Sequence, residues 1–365
     1  MSSIHAIRFS YVPHQLKFNF DAGTSRGVLK EKTTYFIQAN TSENSSVGWG
    51  EVAPLVKLSI DDRPDFEQQL QKYCKKLVFE YDLRSKVTSK QIFHWCAEVI
   101  SNEFPSIRFA FETAILDLIN GGQRMIFDTD FFHKEQAIAI NGLIWMGDKE
   151  FMLDQINEKL AKGFSCIKMK IGAIDFEQEC RLLEYIRSRF SAKSITLRVD
   201  ANGAFHPYEA LNKLERLAKF DLHSIEQPIA VNQWKEMSEL CKVTPLPIAL
   251  DEELIGIYGF ENRKQLLESI RPQYIILKPS LLGGLRDTQE WIALAEAKDI
   301  AWWMTSALES NVGLNAIAQF TSTYQDLMHQ GLGTGQLFTN NIDSPLVVEN
   351  GFITYKKDKS WGEMP

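Results

Sequence analysis

From residue 137 onward the chain alternates short apolar runs with amphipathic helical patterns, and it does so through eight runs. They fall at 137–143, 166–171, 195–200, 224–226, 248–251, 274–278, 300–305 and 331–335. Helical patterns at 149–160, 176–189, 207–219, 233–241, 258–267 and 284–298 lie between them. Strand–helix alternation calls for a parallel sheet, because only a crossover helix returns the chain to start the next strand in the same direction. Eight repeats call for closure. The expected fold is therefore α/β, a (β/α)8-like modified TIM barrel.

The residues before this region follow another pattern. Leu16, Phe18 and Phe20 alternate in an apolar period of two, and 34–37 is rich in β formers, as in an antiparallel meander. A helix is expected from Pro105, with Ile107, Ala110, Phe111, Ala114, Ile115 and Leu118 on one face and Gly121-Gly122 ending it. The expected division is an α+β capping domain over 1–130 and a catalytic barrel over 131–344. Residues 345–365, with Val347-Val348 and 352–355, are expected to return to the capping domain as a strand.

Several function classes are excluded. Forty Lys and Arg against 47 Asp and Glu give a net charge of −7, which attracts neither nucleic acid nor an anionic membrane. Five scattered cysteines without a CxxC pair fit a reducing compartment and no disulfide framework. No apolar run reaches the roughly 20 residues of a membrane span, and the N-terminus lacks a signal-peptide profile. A cytoplasmic protein acting on a small molecule is expected, with its oligomeric state open.

The informative residues are charges in positions that could be apolar. The second to sixth barrel strands end in Lys168 and Lys170, Asp200, Glu226, Asp251 and Lys278, advancing by 25 to 30 residues, one strand–helix unit per step. Side chains at the C-terminal rim of such a barrel converge on one pocket. Strands two and six are half a circuit apart, so Lys170 and Lys278 should face each other with three carboxylates between them. Such a cluster of acids calls for a cation, and an all-oxygen donor set favours Mg2+, with Mn2+ next. A divalent ion flanked by opposed lysines suits removal of a proton beside a carboxylate, with the charge that develops held electrostatically. Lys170 would be the base, its proton affinity lowered by Lys168 and the metal.

Taken singly, each residue has a plainer reading. An acid at a strand end is commonly a helix cap, KMK alone reads as a protected sheet edge, and Lys278 could extend to solvent. Joint occurrence at five consecutive strand ends outweighs these. The GLGTGQ run comes at the last strand and lacks the acidic partner of a dinucleotide loop, so close approach of backbone to a ligand is the better reading. His206 and His223 are expected to be structural, and Trp302-Trp303 to lie in the core. A non-catalytic barrel would show a decayed polar set, whereas all five positions are filled.

The segments KMKIG, VDANGAF, SIEQP, ALDE and LKPSLLGG, with GWGEVAPL (Gly48–Leu55) and FETAILDLI (Phe111–Ile119), resemble the muconate-lactonising subgroup of the enolase superfamily over nearly the whole chain. Sites of that superfamily are known to use a Lys or His base with Mg2+ stabilising an ene-diolate. Within the subgroup, AGTSRG (Ala22–Gly27), TSALES (Thr305–Ser310) and QGLGTGQLF resemble the o-succinylbenzoate synthase family. The resemblance implies dehydration of 2-succinyl-6-hydroxy-2,4-cyclohexadiene-1-carboxylate in menaquinone synthesis. It implies Lys170 as base, Lys278 as cationic stabiliser, Lys168 as tuning group, and Asp200, Glu226 and Asp251 as Mg2+ ligands. Asn202 and Glu252 would support them. Ser306, Glu309, Ser310 and Asn141 would contact substrate, and a Thr24–Arg26 loop would close over it. The alternative within the same superfamily is an N-acylamino acid racemase or dipeptide epimerase. An epimerase is expected to carry an Asp-x-Asp pair near the eighth strand, where Gly333-Thr334-Gly335 stands.

Overall fold

A computed structural model of the chain describes residues 4–24, 27–42, 45–82, 86–172 and 174–365, without the Thr24 side chain. Its N-terminal part is an antiparallel sheet built on β1 (Ile4–Thr24) and β2 (Gly27–Asn40), with β3 (Val47–Val52) and β4 (Val78–Asp82) at the edges. Helices α1 (Phe66–Lys76), α2 (Ser89–Val99) and α3 (Pro105–Ile119) cover it. The α3 helix starts with proline in its first turn, as expected, and is buried on every face from Pro105 to Leu118. It packs against β3 so closely that a Cβ on Gly48 or Gly50 would lie 2.1 Å from Ala114 O or 2.0 Å from Ala110 O. Those two glycines of GWGEVAPL are therefore packing residues.

After the short helix α4 (Asp130–Lys134) and strand β5 (Ile138–Ala139), the barrel begins. Its strands are β6 (Gly142–Ile144), β7 (Cys166–Lys170), β8 (Thr196–Asp200), β9 (Ser224–Glu226), β10 (Ile248–Leu250), β11 (Tyr274–Leu277) and β12 (Ala301–Met304). They form one parallel sheet in sequential order. The intervening helices are α5 (Lys149–Ala161), α6 (Phe176–Arg189), α7 (Pro207–Ala218), α8 (Trp234–Val243) and α9 (Phe260–Ile270), then α10 (Pro279–Leu282) and α11 (Gly284–Glu296). A further helix, α12 (Asn311–Thr321), follows β12 and was not expected from the pattern. Among the described residues no helix is long and apolar enough to cross a membrane.

The expected eighth strand is corrected. Only Gln330 and Gly331 join the ladder, through bridges to Ile140 and Thr305, while Thr334–Gln336 forms a 3-10 turn. Gln330 N–H donates to Ala139 O at 2.8 Å and Gly331 N–H to Met304 O at 2.7 Å, so two residues close the ring. The glycines supply no side chains to pack on a pleated surface, and the segment turns away after this contact.

The C-terminal segment is corrected too. Strands β13 (Leu346–Glu349) and β14 (Phe352–Tyr355) form a hairpin that pairs with β5, not with the N-terminal sheet. Beyond it Trp361 and Met364 pack against Phe36 and Trp49 of the cap. The barrel floor is filled by Ala249, Ile276 and Trp303, with the Arg198 guanidinium 4.0 Å over the Trp303 ring.

Candidate functional site

The ladder register sets the site. Lys170 pairs with Asp200 and Asp200 with Glu226, so an amine and two acids stand in one row across β7, β8 and β9. Lys168, two residues earlier on β7, shares a face with Lys170. Asp251 follows β10 and Lys278 follows β11, as the chain leaves the sheet for its next helix. All five expected strand ends thus meet at one rim.

The contacts within the set are tight. Lys168 Nζ lies 3.0 Å from Asp200 Oδ2 and hydrogen-bonds Glu226 Oε2. Lys170 Nζ donates to Asp200 Oδ2 at 3.0 Å and Asn202 Oδ1 at 2.9 Å. Lys278 Nζ donates to Asp251 Oδ1 at 2.7 Å. Asn202 supports this arrangement from the left-handed region at φ 44°, donating its backbone N–H to Asp200 Oδ1 at 3.0 Å and its side-chain amide to Glu252 Oε1 at 2.9 Å. Gln227, which was not anticipated, accepts the Asp251 N–H at 3.3 Å and donates to Glu253 Oε2 at 3.2 Å.

Burial and mutual repulsion set the charges. Burial raises Glu226 well above the usual carboxylate range, to about 7; Lys168 opposes this, and the Asp200 and Asp251 charges add to it. Asp251 is raised by burial, with Lys278 opposing and Glu252 adding. At Asp200 burial acts upward too, yet the Lys168 and Lys170 ammonium groups overcome it and hold the carboxyl well below its usual value. Burial alone would lower Lys168 and Lys278, but their acid neighbours raise both, so each is held as an ammonium.

These residues fit a divalent cation. Glu226 Oε1 is buried without a hydrogen-bond partner. Three carboxylates from successive strands offer only oxygen donors, and burial raises two of them, Glu226 and Asp251, above the usual carboxylate range. Among the described residues no three acid, His or Cys side chains stand together as a ready-made cluster; Glu226 is paired with Lys168 and Asp251 with Lys278.

A cavity of about 810 Å³ opens above this rim. Lys168, Lys170, Asp200, Asn202, Glu252 and Lys278 line it, while Glu226 and Asp251 lie behind the lysines. Asn141 and Ser306, expected as substrate contacts, also line it. Asn141 Oδ1 is buried with no hydrogen-bond partner, and Ser306 Oγ bonds Thr334 Oγ1 at 2.5 Å. The opposite wall is apolar, with Phe20, Leu55, Trp145 and Leu308. The Phe20 and Trp145 ring centroids are 5.4 Å apart, a contact that strand alternation alone did not indicate.

Two expected substrate contacts are corrected. Glu309 and Ser310 are fully buried and do not line the cavity. Glu309 accepts the Ser280 hydroxyl and, at 2.7 Å, the Ala307 N–H. Ser310 caps α12 and donates its hydroxyl to Glu51 Oε2 at 2.5 Å. Glu51 also accepts the Ser310 and Gly313 N–H groups, both at 2.8 Å, and the Thr34 hydroxyl. An acid on the cap strand β3 thus caps a barrel helix, whose free N–H groups favour a carboxylate. Arg26 and the side chain of Thr24, the expected lid residues, lie outside the described residues.

A family model described as Enolase C-terminal domain-like matches residues 152–360. The chain is 47% identical over 365 residues to the o-succinylbenzoate synthase of Desulfotalea psychrophila, covering 95% of this chain and 98% of that protein. The crystal structure of MenC from Desulfotalea psychrophila superposes with a TM-score of 0.81 at 43% identity, over 96% of this chain and 99% of that one. A dipeptide epimerase from Enterococcus faecalis, crystallised with Mg and the dipeptide L-Leu-L-Tyr, shares the fold with a TM-score of 0.82 at 17% identity over 98% of each chain.

Proposed function

The chain belongs to the enolase C-terminal domain-like family of the enolase superfamily, and on that premise we propose that it is a hydro-lyase with o-succinylbenzoate synthase activity. The reaction removes water from 2-succinyl-6-hydroxy-2,4-cyclohexadiene-1-carboxylate to give o-succinylbenzoate, in menaquinone synthesis. One observation carries the reading: Lys170 and Lys278 open onto the same cavity, with Asp200 beside Lys170.

Lys170 acts as the base and takes the proton alpha to the ring carboxylate. The electron pair left behind spreads into that carboxylate as an enediolate, then expels the adjacent hydroxyl. Lys170 returns the proton to it, so one water leaves and the ring becomes aromatic. Lys278 stays an ammonium, held so by Asp251 and Glu252 against the opposing effect of burial, and faces the developing negative charge. Asn202 orients Lys170 through its side-chain oxygen. Lys168, between Asp200 and Glu226, keeps those acids at the rim. Asp200, Glu226 and Asp251 would hold Mg2+, or Mn2+ as a substitute, which when bound neutralises the substrate carboxylate and the charge gathering on it.

The isomerase reading has one observation behind it, since two lysines on one cavity allow proton transfer on both faces of a carbon acid. Gly333 and Gly335 stand where an epimerase would be expected to place acids for a substrate ammonium, and a Cβ at Gly335 would lie 2.5 Å from Asn311 Oδ1. The test follows loss of the cyclohexadiene absorbance with purified protein. Turnover is expected with Mg2+, lost on chelation and restored by the metal. Absence of turnover together with racemisation of N-succinylamino acids would replace the lyase reading by the isomerase one.

A further inference from the structure

Leu308 has φ 63°, in the left-handed region that residues other than glycine rarely adopt. It nevertheless lines the cavity, packed in one apolar cluster with Trp145, Phe18 and Phe338. Such a conformation persists only where its surroundings over-determine it. Here Leu308 N–H donates to Ser306 Oγ at 3.2 Å, and Ala307 N–H donates to Glu309 Oε2 at 2.7 Å. A further hold comes from another part of the molecule. Lys32, on β2 of the cap, donates its ammonium to Ala307 O at 3.0 Å and to Leu308 O at 2.9 Å.

Lys32 is 3% exposed and sits opposite Leu16 in the β1–β2 ladder. A buried ammonium is costly unless it is hydrogen-bonded and compensated. Glu309, Glu51 and Asp61 supply the negative charge around it. The same Glu309 holds Ser280, two residues beyond Lys278. Cap lysine, left-handed turn and cavity wall therefore form one continuous set of contacts.

We propose that Lys32 is a positioning residue of the substrate site. By clamping two successive carbonyls it holds the turn at Leu308, and so fixes the apolar wall against which the substrate's carbon skeleton packs. Lys32 touches no substrate; it acts through Leu308. The choice of ligand rests on the dehydration reading above.

The test is a double-substitution cycle with Lys32→Met and Leu308→Gly. It is read as KM and kcat for dehydration and as Kd for o-succinylbenzoate by tryptophan fluorescence. Lys32→Met is expected to raise KM and Kd about tenfold with kcat within about threefold, the pattern of lost binding shared by ground and transition states. Glycine adopts φ near +60° without a clamp. In the Leu308→Gly background the lysine substitution should therefore add less than about twofold. An unchanged KM, a fall in kcat alone, or effects that multiply in the double variant would overturn the proposal. Should Lys32→Met fail to fold, Lys32→Met with Glu309→Gln removes the opposing charge as well and is read the same way. If the wild-type protein racemises N-succinylamino acids and does not dehydrate the cyclohexadiene, the reaction reading fails. The cycle is then read on their KM, so the two failures stay distinct.

Discussion

Lys170 bonds an acid and an amide at once, Asp200 and Asn202, and this dual contact aims its nitrogen at the cavity. As the group that moves the proton, it should be indispensable to the rate and dispensable to the fold. Lys170→Ala is expected to lower kcat by about 10³-fold or more, with a melting temperature by circular dichroism within about 3 °C of wild type. Retention of most activity would remove it as the base. The strand-end charges were legible in the sequence because a period-two strand in a barrel wall leaves no ordinary reason for a lysine or an acid to point inward. Glu309 and Ser310 were misread because a loop has no period. A carboxylate five residues past a strand looks the same whether it faces a ligand or a buried serine. Lys32 and Glu51 left a faint signal. Both occupy the buried register of cap strands, Lys32 in step with Thr34 and Phe36, but strand alternation marks a polar residue there without saying what it bonds.

Helices and strands were readable where one face is wet. In α7, Ala210, Leu214 and Leu217 are buried while Tyr208 is exposed, so the 3.6-residue period stands out. By contrast α12 is buried from Val312 to Thr321 and shows no such contrast. The last strand failed for another reason: glycines can extend or turn, and at 331–335 they turn after two ladder contacts. The β3–α3 contact depends on glycine in a way a substitution can expose. Gly50→Ala pushes a methyl group into Ala110 O and the Thr113 hydroxyl, and backbone cannot yield there as a side chain would. A loss of about 3 kcal/mol or more is expected, measured as a lowered midpoint of urea unfolding. A change within error would mean that the helix stands off the sheet.

Cap and barrel share one core, since a single apolar cluster runs from Ile7 and Phe111 through Val199 and Leu250 to Ile353. The Glu51 and Lys32 contacts cross the same seam. The whole chain should therefore unfold as one unit, giving a single calorimetric transition whose measured and van't Hoff enthalpies agree. Two resolved transitions would contradict this.

The Arg198 guanidinium stacked over the Trp303 ring, with Ala249 and Ile276, packs the base of the barrel. At the other end of the cavity Phe20 packs against Trp145 and Phe151, and all three rings line it. A molecule held there lies between aromatic rings on one side and the charged strand ends on the other, so its apolar part and its carboxylate are sorted to opposite walls.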